Sequence, residues 1–361
     1  MLRVAIVGCG VISTRKYIPI LKRLKKRVTI VGLCDLNEEI LKQVSAKFGI
    51  PDTYTDFSRM LAEQHPDIVV VCTPPAAHTK VVIEALEKGA HVLVEKPMAL
   101  TAVDCQKMVD ASNQHGRKLG VMHNQVFNPA FEEACDLVAS GKIGKFLGMR
   151  TFLMTPVDDM TSNPKHWAHR LPGGVLGETG PHAIYLSLAL LDNVTDVQVC
   201  WKKQLPEYPW SAAEDIRFDV IADNGINSVT LMYGSNQSGA EIEIVGTEGM
   251  LKLDLQSRIL VHHNRQVGTE LLTPKAMITS VVSGLYQTST AFAVNGVVHR
   301  VWKTLDGHYI GITRFLDYVE HNTQFRASGE KGKLTTEVLD MVVRKYEESQ
   351  RPAAVSALAQ G

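Results

Sequence analysis

Leu2-Arg3-Val4-Ala5-Ile6-Val7-Gly8-Cys9-Gly10 sets the fold. An apolar run meets a glycine turn, and Ile12, Ile18 and Leu21 follow among polar and basic residues. Strand, glycine turn and helix are the context a dinucleotide fingerprint requires. Gly8 permits the tight turn. Gly10 lets the backbone approach a pyrophosphate, whose charge a helix N-terminus favours. Val11 and Ile12 open that helix and join the candidate cofactor contacts. The third glycine position is Ser13, so the motif alone also fits a glycine turn with no ligand. Val28 to Cys34 is a second apolar run, ending at Asp35. An acid there accepts hydrogen bonds from adenosine ribose hydroxyls and repels a 2′-phosphate. Leu36, Asn37 and Glu38 supply no cation, which favours NAD over NADP. Helix capping is the other role open to Asp or Asn at this turn.

Outward from that unit, strands and helices alternate. A helix is predicted from Glu38 to Phe48. A buried strand, Asp67 to Cys72, runs into Thr73-Pro74-Pro75-Ala76-Ala77-His78, where two prolines shape a rigid wall. A helix over Thr79 to Lys88 is closed by Gly89. His91 to Val94 is the next strand and ends in Glu95-Lys96-Pro97. Thr101 is the predicted N-cap of a helix reaching His115, and Leu119 to Met122 is the last strand of this half. Such alternation means a parallel, doubly wound sheet. Ligands of open α/β sheets sit beyond the carboxyl ends of the strands, so Lys96 is aimed at a crevice.

The totals exclude several classes. At 361 residues, two domains are the default. Lysine plus arginine equals aspartate plus glutamate, at 38 each, so no net field recruits nucleic acid or an anionic membrane. The basic residues from Arg15 to Arg27 read as a solvated helix face. None of the six cysteines forms a Cys-x-x-Cys pair, so no zinc or redox site is signalled and no metal is expected. Reduced thiols and an N-terminus without signal-peptide layout fit the cytoplasm. Ala276 to Val298 has no charged residue, but its Ser, Thr, Gln, Asn and Gly content argues against a membrane span. Ile278, Val281, Val282, Leu285 and Phe292 in it sit at helical spacing. They predict a helix that caps a cleft or packs on another subunit.

The second half reads differently. Phe146 to Met154 is a strand, and Pro156 to Pro172 is a polar loop with Lys165, His166, Trp167, His169 and Arg170. Gly173, Gly174 and Gly177 follow, then a helix from about Pro181 to Leu191. Glu178 and His182 are four apart and Tyr185 three further on, so helical continuation puts them on one face. Val197 to Trp201, Ile216 to Ile221, Ser228 to Tyr233, Glu241 to Val245 and Met250 to Leu255 are strand candidates. Their apolar–polar alternation fits an antiparallel sheet, with hairpin turns at Asp223-Asn224-Gly225 and Thr247-Glu248-Gly249. Ile310 to Tyr318 and Thr335 to Glu347 are closing helices, preceded by Trp302, His308 and Tyr309 as candidate border residues. The tail from Arg351 reads as frayed.

Several ordered pieces resemble the glucose–fructose oxidoreductase, inositol dehydrogenase and rhizopine-catabolism family, Gfo/Idh/MocA. They are Gly8-Cys9-Gly10, Asp35, Cys72-Thr73-Pro74-Pro75 with His78, and Glu95-Lys96-Pro97. His123 to Pro129 looks like the family's segment crossing into the second domain, with Val126 where an arginine is common. Glu178-Thr179-Gly180-Pro181-His182 looks like the family's Asp-x-Gly-x-His, with Glu for Asp. Tyr185 stands where an Asp is frequent. The resemblance covers most of residues 1–255 and the last helices.

It implies an NAD-binding Rossmann domain, here 1–124, and a C-terminal α/β domain, 125–361, with a large, open, mostly antiparallel sheet. It also implies a homodimer or homotetramer, a Lys96–Pro97 bond that is frequently cis in relatives, and oxidation or reduction at a carbon of a sugar, cyclitol or sugar derivative. On this reading Lys96 polarises the substrate oxygen, His182 moves the proton and Glu178 orients His182 or binds a hydroxyl. Thr73, Pro74, Pro75, His78, Glu95, Lys96 and Asn124 complete the cofactor set. Lys96, Asn124, Trp167, Arg170, Glu178, His182 and Tyr185 form the substrate set. The alternatives are a catalytically silent NAD-binding regulator or scaffold, and a dehydrogenase of a non-sugar carbonyl or dihydrodiol.

Overall fold

The computed structural model describes residues 1–264, 278, 281–290, 292–293 and 306–350. The chain divides into two compact units, Met1–Glu132 with Ala293–Glu337 and Glu133–Phe292 with Val338–Gly361.

The first unit is built on six strands: β1 (Leu2–Val7), β2 (Val28–Cys34), β3 (Thr53–Tyr54), β4 (Ile68–Val71), β5 (His91–Val94) and β6 (Leu119–Val121). They lie in the order β3-β2-β1-β4-β5-β6, every pair parallel. This is the doubly wound Rossmann sheet, and its strand order reverses between β1 and β4. Alternate residues Ala5, Val7, Val69, Val71, Val92, Val94, Leu119 and Val121 share one buried cluster with Val82, Leu86, Cys105 and Met108. Each large aliphatic side chain so buried contributes roughly 1.5–3 kcal/mol.

The helices start where the chain offers caps. Helix α1 (Ile18–Arg23) follows a π-helical turn over Ser13–Tyr17. Helix α2 (Glu38–Phe48) is capped by Asn37, whose Oδ1 accepts from the Glu39 and Ile40 amides. Asp35 is left for other partners. Helix α3 (Phe57–Gln64) carries the Asp56 cap. Helix α4 (Pro75–Glu87) begins earlier than the predicted Thr79; proline at a first helical position needs no partner for a missing N–H. Helix α5 (Ala102–Gln114) has the predicted Thr101 cap, with Oγ1 accepting from the Asp104 amide at 3.1 Å.

In the second unit, strands β7 (Phe146–Pro156), β8 (Val194–Lys202), β9 (Asp215–Ala222), β10 (Gly225–Ser235), β11 (Gly239–Gly246), β12 (Gly249–Asp254) and β13 (Ile259–Asn264) form one sheet. Its order is β13-β12-β11-β7-β10-β9-β8, antiparallel except for β7 with β10. Both predicted hairpin turns join antiparallel neighbours, β9 to β10 and β11 to β12. Leu253, Ile242, Thr151, Val229 and Phe218 make one buried row across five strands. On that face Asn227, wholly buried, donates to Ser187 Oγ at 2.6 Å and Thr151 Oγ1 at 3.1 Å. Ser187 ends α8 (Val175–Ser187), so this polar cluster anchors the helix to the sheet.

Helix α8 corrects the expected span of Pro181 to Leu191. It starts at Val175, capped by Gly174 at φ 61°, with Pro181 inside it. The left-handed φ of Gly173 and Gly174 turns the chain into the helix. Two further helices, α6 (Pro129–Ala139) and α7 (Asp159–Ser162), flank β7 in sequence.

Residues 281–290 form helix α9, as their spacing predicted. Gln287 holds it to the edge strand β13 by accepting from the His262 amide at 2.7 Å and donating to the His262 carbonyl at 3.2 Å. Val281, Val282, Leu285 and Tyr286 are exposed. The remainder of the charge-free segment, apart from 278, 292 and 293, lies outside the described residues, as do Trp302 and the tail from Arg351.

Helix α10 (Gly307–His321) belongs to the first unit, and α11 (Gly329–Gln350) crosses the division at Glu337. Arg15, Lys22, Arg23, Lys25 and Lys26 of the basic stretch are exposed, as expected of a solvated face, and the stretch also meets α10. Arg27 pairs with Asp317 at 2.9 Å and with Glu320, and the Arg23 guanidinium lies 5.2 Å over the Tyr309 ring.

Candidate active site

Three adjacent strands of the first unit deliver three turns to one end of the sheet. Strand β1 ends in the glycine turn, β4 in the Thr73 turn and β5 in Glu95-Lys96-Pro97. Gly8 has φ 91°, and a Cβ there would stand 2.6 Å from the Cys72 carbonyl carbon. Only glycine lets β1 and β4 leave the sheet this close together. A Cβ on Gly10 would meet nothing within 4 Å, and Val11 is exposed beside it. Ser13, in the position of the third glycine, is fully buried and returns its hydroxyl to the Gly10 carbonyl at 2.9 Å. The substitution therefore braces the turn from within.

Asp35 Oδ2 accepts from the Cys9 amide at 2.7 Å, and Oδ1 from the Asn37 amide at 2.9 Å. Each carboxylate oxygen has a further lone pair, which suits two ribose hydroxyls. Burial first, then the Asp35 charge, pushes the Cys9 and Cys34 thiols up to about 12, so both stay protonated and inert at neutral pH. Thr73 Oγ1 is buried without a hydrogen-bond partner. An orphaned hydroxyl, an open Gly10 and an acid at the end of β2 together fit a dinucleotide.

His78 is wholly buried beneath this surface. Its Nε2 lies 2.8 Å from the Thr73 carbonyl, and its Nδ1 lies 3.0 Å from that of Pro97 and 3.2 Å from that of Met98. Burial lowers its pKa, outweighing those carbonyls, so the ring is neutral and one nitrogen donates. The ring fills the space between the Thr73 turn and the lysine turn and donates to one of them. The Lys96–Pro97 bond is cis.

Glu95 is buried, and its carboxylate accepts from Tyr17 Oη at 2.7 Å and from the Lys96 amide at 3.1 Å. Burial pushes its pKa up. His308, Tyr17 and Lys96 outweigh that, and the group is held below its ordinary value. Lys96 and Asn124 are each half-buried. Asn124 opens a short 3-10 turn, Asn124–Phe127, and its carbonyl would lie 2.1 Å from a Cβ on Gly307, which α10 avoids by starting on glycine.

The second unit holds the remaining candidates. Glu178 and His182 are half-buried on α8, and Tyr185 is buried. His182 Nδ1 lies 2.6 Å from Tyr185 Oη, with the rings edge to face at 5.5 Å. The i, i+3 spacing thus produces a contact. Tyr233 bonds to Thr179 on the same helix. Burial raises the Tyr233 pKa, and the Glu178 charge adds to it. Trp167 and Arg170 bound a 3-10 turn capped by His166, and Trp167 is 41% exposed.

Sequence reading assigned no role to Tyr17, Lys16 or Asp306, and set His308 only at the border. They lie around Glu95: His308 Nε2 is 3.7 Å from Glu95 Oε1, its Nδ1 is 3.4 Å from Asp306 Oδ1, and Lys16 pairs with Asp306. The available signal was Asp306 one residue before a helix, at an N-cap spacing.

Fold and site together define an NAD-dependent oxidoreductase. Residues 2–123 match the oxidoreductase family with an NAD-binding Rossmann fold, and residues 131–252 match the GFO/IDH/MocA C-terminal domain. The chain belongs to the Gfo/Idh/MocA family. Among curated relatives it is 26% identical to D-apiose dehydrogenase of Paraburkholderia graminis, over 82% of this chain and 78% of that protein. It is 25% identical to inositol 2-dehydrogenase/D-chiro-inositol 3-dehydrogenase of Lactiplantibacillus plantarum, over 75% and 77% of the two. Among solved structures, the WlbA dehydrogenase of Bordetella pertussis, in complex with NADH and UDP-GlcNAcA, superposes with a TM-score of 0.78. It is 20% identical and covers 96% of both chains. Levoglucosan dehydrogenase with NADH and levoglucosan gives 0.78 at 18% identity, covering 96% of this chain and 97% of that one. Among the described residues no group of His, Cys, Asp and Glu could hold a metal, and no helix is long and apolar enough to cross a membrane.

Asp35→Asn keeps the shape of the side chain and removes its charge. NAD affinity, measured by fluorescence titration, is expected to fall about tenfold while NADP affinity holds or rises, as suits the loss of one charge-assisted hydrogen bond. An unchanged preference between the two would remove Asp35 from the ribose site.

Proposed function

We propose that the protein oxidises a secondary alcohol of a sugar, cyclitol or sugar derivative, or reduces the corresponding carbonyl, with NAD(H). The observation that carries this is the position of Lys96. It leaves β5, two strands from the glycine turn on β1, at the sheet end where Asp35 and Thr73 also stand. Bound nicotinamide supplies a hydride acceptor or donor. Lys96 donates a hydrogen bond to the reacting oxygen and stabilises negative charge as it develops there. His182 takes the hydroxyl proton at Nε2, with its Nδ1–H donated to Tyr185 Oη. Glu178 binds a substrate hydroxyl, and Asn124, Trp167 and Arg170 contribute to substrate recognition. Thr73, Pro74 and Pro75 wall the nicotinamide site, and His78 supports that wall from below. The relatives' named substrates, apiose, inositol and levoglucosan, support a polyhydroxylated compound. The Glu178 and Tyr185 departures from the family pattern leave its identity to be found by turnover.

Lys96→Met and His182→Gln are each expected to lower kcat by about 10²–10⁴-fold, with NAD affinity within about threefold of the parent. A panel of sugars, inositols and sugar nucleotides, followed by NADH absorbance, checks this. Tight NAD binding with no turnover on any of them would instead favour a silent regulator.

The same reading places a homo-oligomer in the cytoplasm, with the exposed apolar residues of α9 at the subunit contact. Val282→Glu combined with Leu285→Glu is expected to lower the mass seen by light scattering. An unchanged mass would move the contact elsewhere.

A further inference from the structure

We infer that His308 is a positioning residue: seated between Asp306 and Glu95, its imidazolium fixes the carboxylate that sets the backbone at Lys96. The inference rests on the role proposed above for Lys96, and every residue in it belongs to the first unit.

The geometry is a line of alternating charge. Lys16 pairs with Asp306, Asp306 faces His308 Nδ1 at 3.4 Å, and His308 Nε2 faces Glu95 Oε1 at 3.7 Å. With the ring protonated, two cations and two anions balance. Carboxylates stand at both ring nitrogens, and the protonated ring presents an N–H to each. Asp306 Oδ1 also accepts the His308 amide at 2.9 Å, as the cap of α10, which fixes the ring's backbone. The ring packs edge to face on Tyr17 at 6.1 Å. Tyr17 in turn donates to Glu95 Oε1, leaving Oε2 to hold the Lys96 amide. Removing the imidazolium leaves a buried carboxylate with one neutral hydroxyl and one amide, and it gains freedom to turn.

The groups facing this line are Lys16, Tyr17, Asp306 and Lys96, together with the buried Cys72 thiol and His78, both of which sense the Glu95 charge. Burial lowers the His308 pKa, but Asp306 and Glu95 outweigh it and hold it above the ordinary value. Its contribution is therefore complete below pH of about 6.5. It is lost as pH rises through the raised folded value. Glu95 and Asp306, both held low, act in the opposite sense. Theirs is present above about pH 4 and lost as pH falls through their folded values.

The test reads Lys96 itself. Lysines are reductively methylated with carbon-13, and the Lys96 signal is assigned with Lys96→Arg. In the parent protein that signal is expected to shift in step with the titration of the His308 ring, followed in the same NMR series. In His308→Asn the step should vanish. The variant's kcat should fall about tenfold, with NAD affinity within about threefold. His321→Asn, on an exposed turn of α10, should change neither. A Lys96 signal indifferent to His308 protonation in the parent overturns the inference. That result needs no substituted His308 and no substrate, so it stands apart from any failure of Lys96 in turnover. Parallel loss of NAD affinity and thermal stability in His308→Asn, with the Lys96 step retained, would also overturn it.

Discussion

A buried carboxylate at the end of β5 organises the first unit. Glu95 sits in a site where an unpaired charge would cost several kcal/mol. It stays ionised because Tyr17, the Lys96 amide and His308 surround it. Those three come from the first helical turn, the lysine turn and the start of α10. One charge thus requires three distant pieces of chain to meet. The glycine turn above it is constrained as tightly, by the 2.6 Å that a Gly8 Cβ would leave to Cys72.

The two units differ in what each holds rigid. The parallel sheet presents Asp35 and Lys96 at strand ends, beside the glycine turn of an NAD-binding Rossmann domain. The antiparallel sheet supplies a broad support for α8, anchored through Asn227, Ser187 and Thr151. A helix so fixed can carry Glu178, His182 and Tyr185 at i, i+4 and i+7 without relying on a loop. The chain's own contacts account for two of the departures from the expected motifs: Ser13 bonds back to Gly10, and Tyr185 bonds to His182.

Much of this was legible in the sequence because the strands of a parallel sheet are buried on both faces and read as continuous apolar runs. β1, β2, β4 and β5 stand out for that reason, as do the antiparallel strands with their alternation. Lys96, Asp35 and the His182–Tyr185 spacing followed from strand ends and helical period. What stayed hidden depended on contacts between residues far apart in sequence. His308 meets Glu95 only in the fold, and no local pattern marks that contact. The pairing of Arg27 was not legible because the acids of α10 that meet it lie far along the chain. The start of α8 was missed because Pro181 and four nearby glycines read as loop. A proline inside a helix and glycines at its turn of entry are settled by packing against the sheet, which local propensity does not contain.

The central claim is that carbon-bound hydrogen passes from a polyhydroxylated substrate to NAD. The most direct measurement is the mass of the reduced cofactor after turnover of sugars and cyclitols deuterated at their secondary carbinol carbons. The account predicts NADH carrying one deuterium from the substrate, with formation lost in Lys96→Met. Reduced cofactor carrying no substrate deuterium, or deuterium transfer undiminished in Lys96→Met, would contradict it.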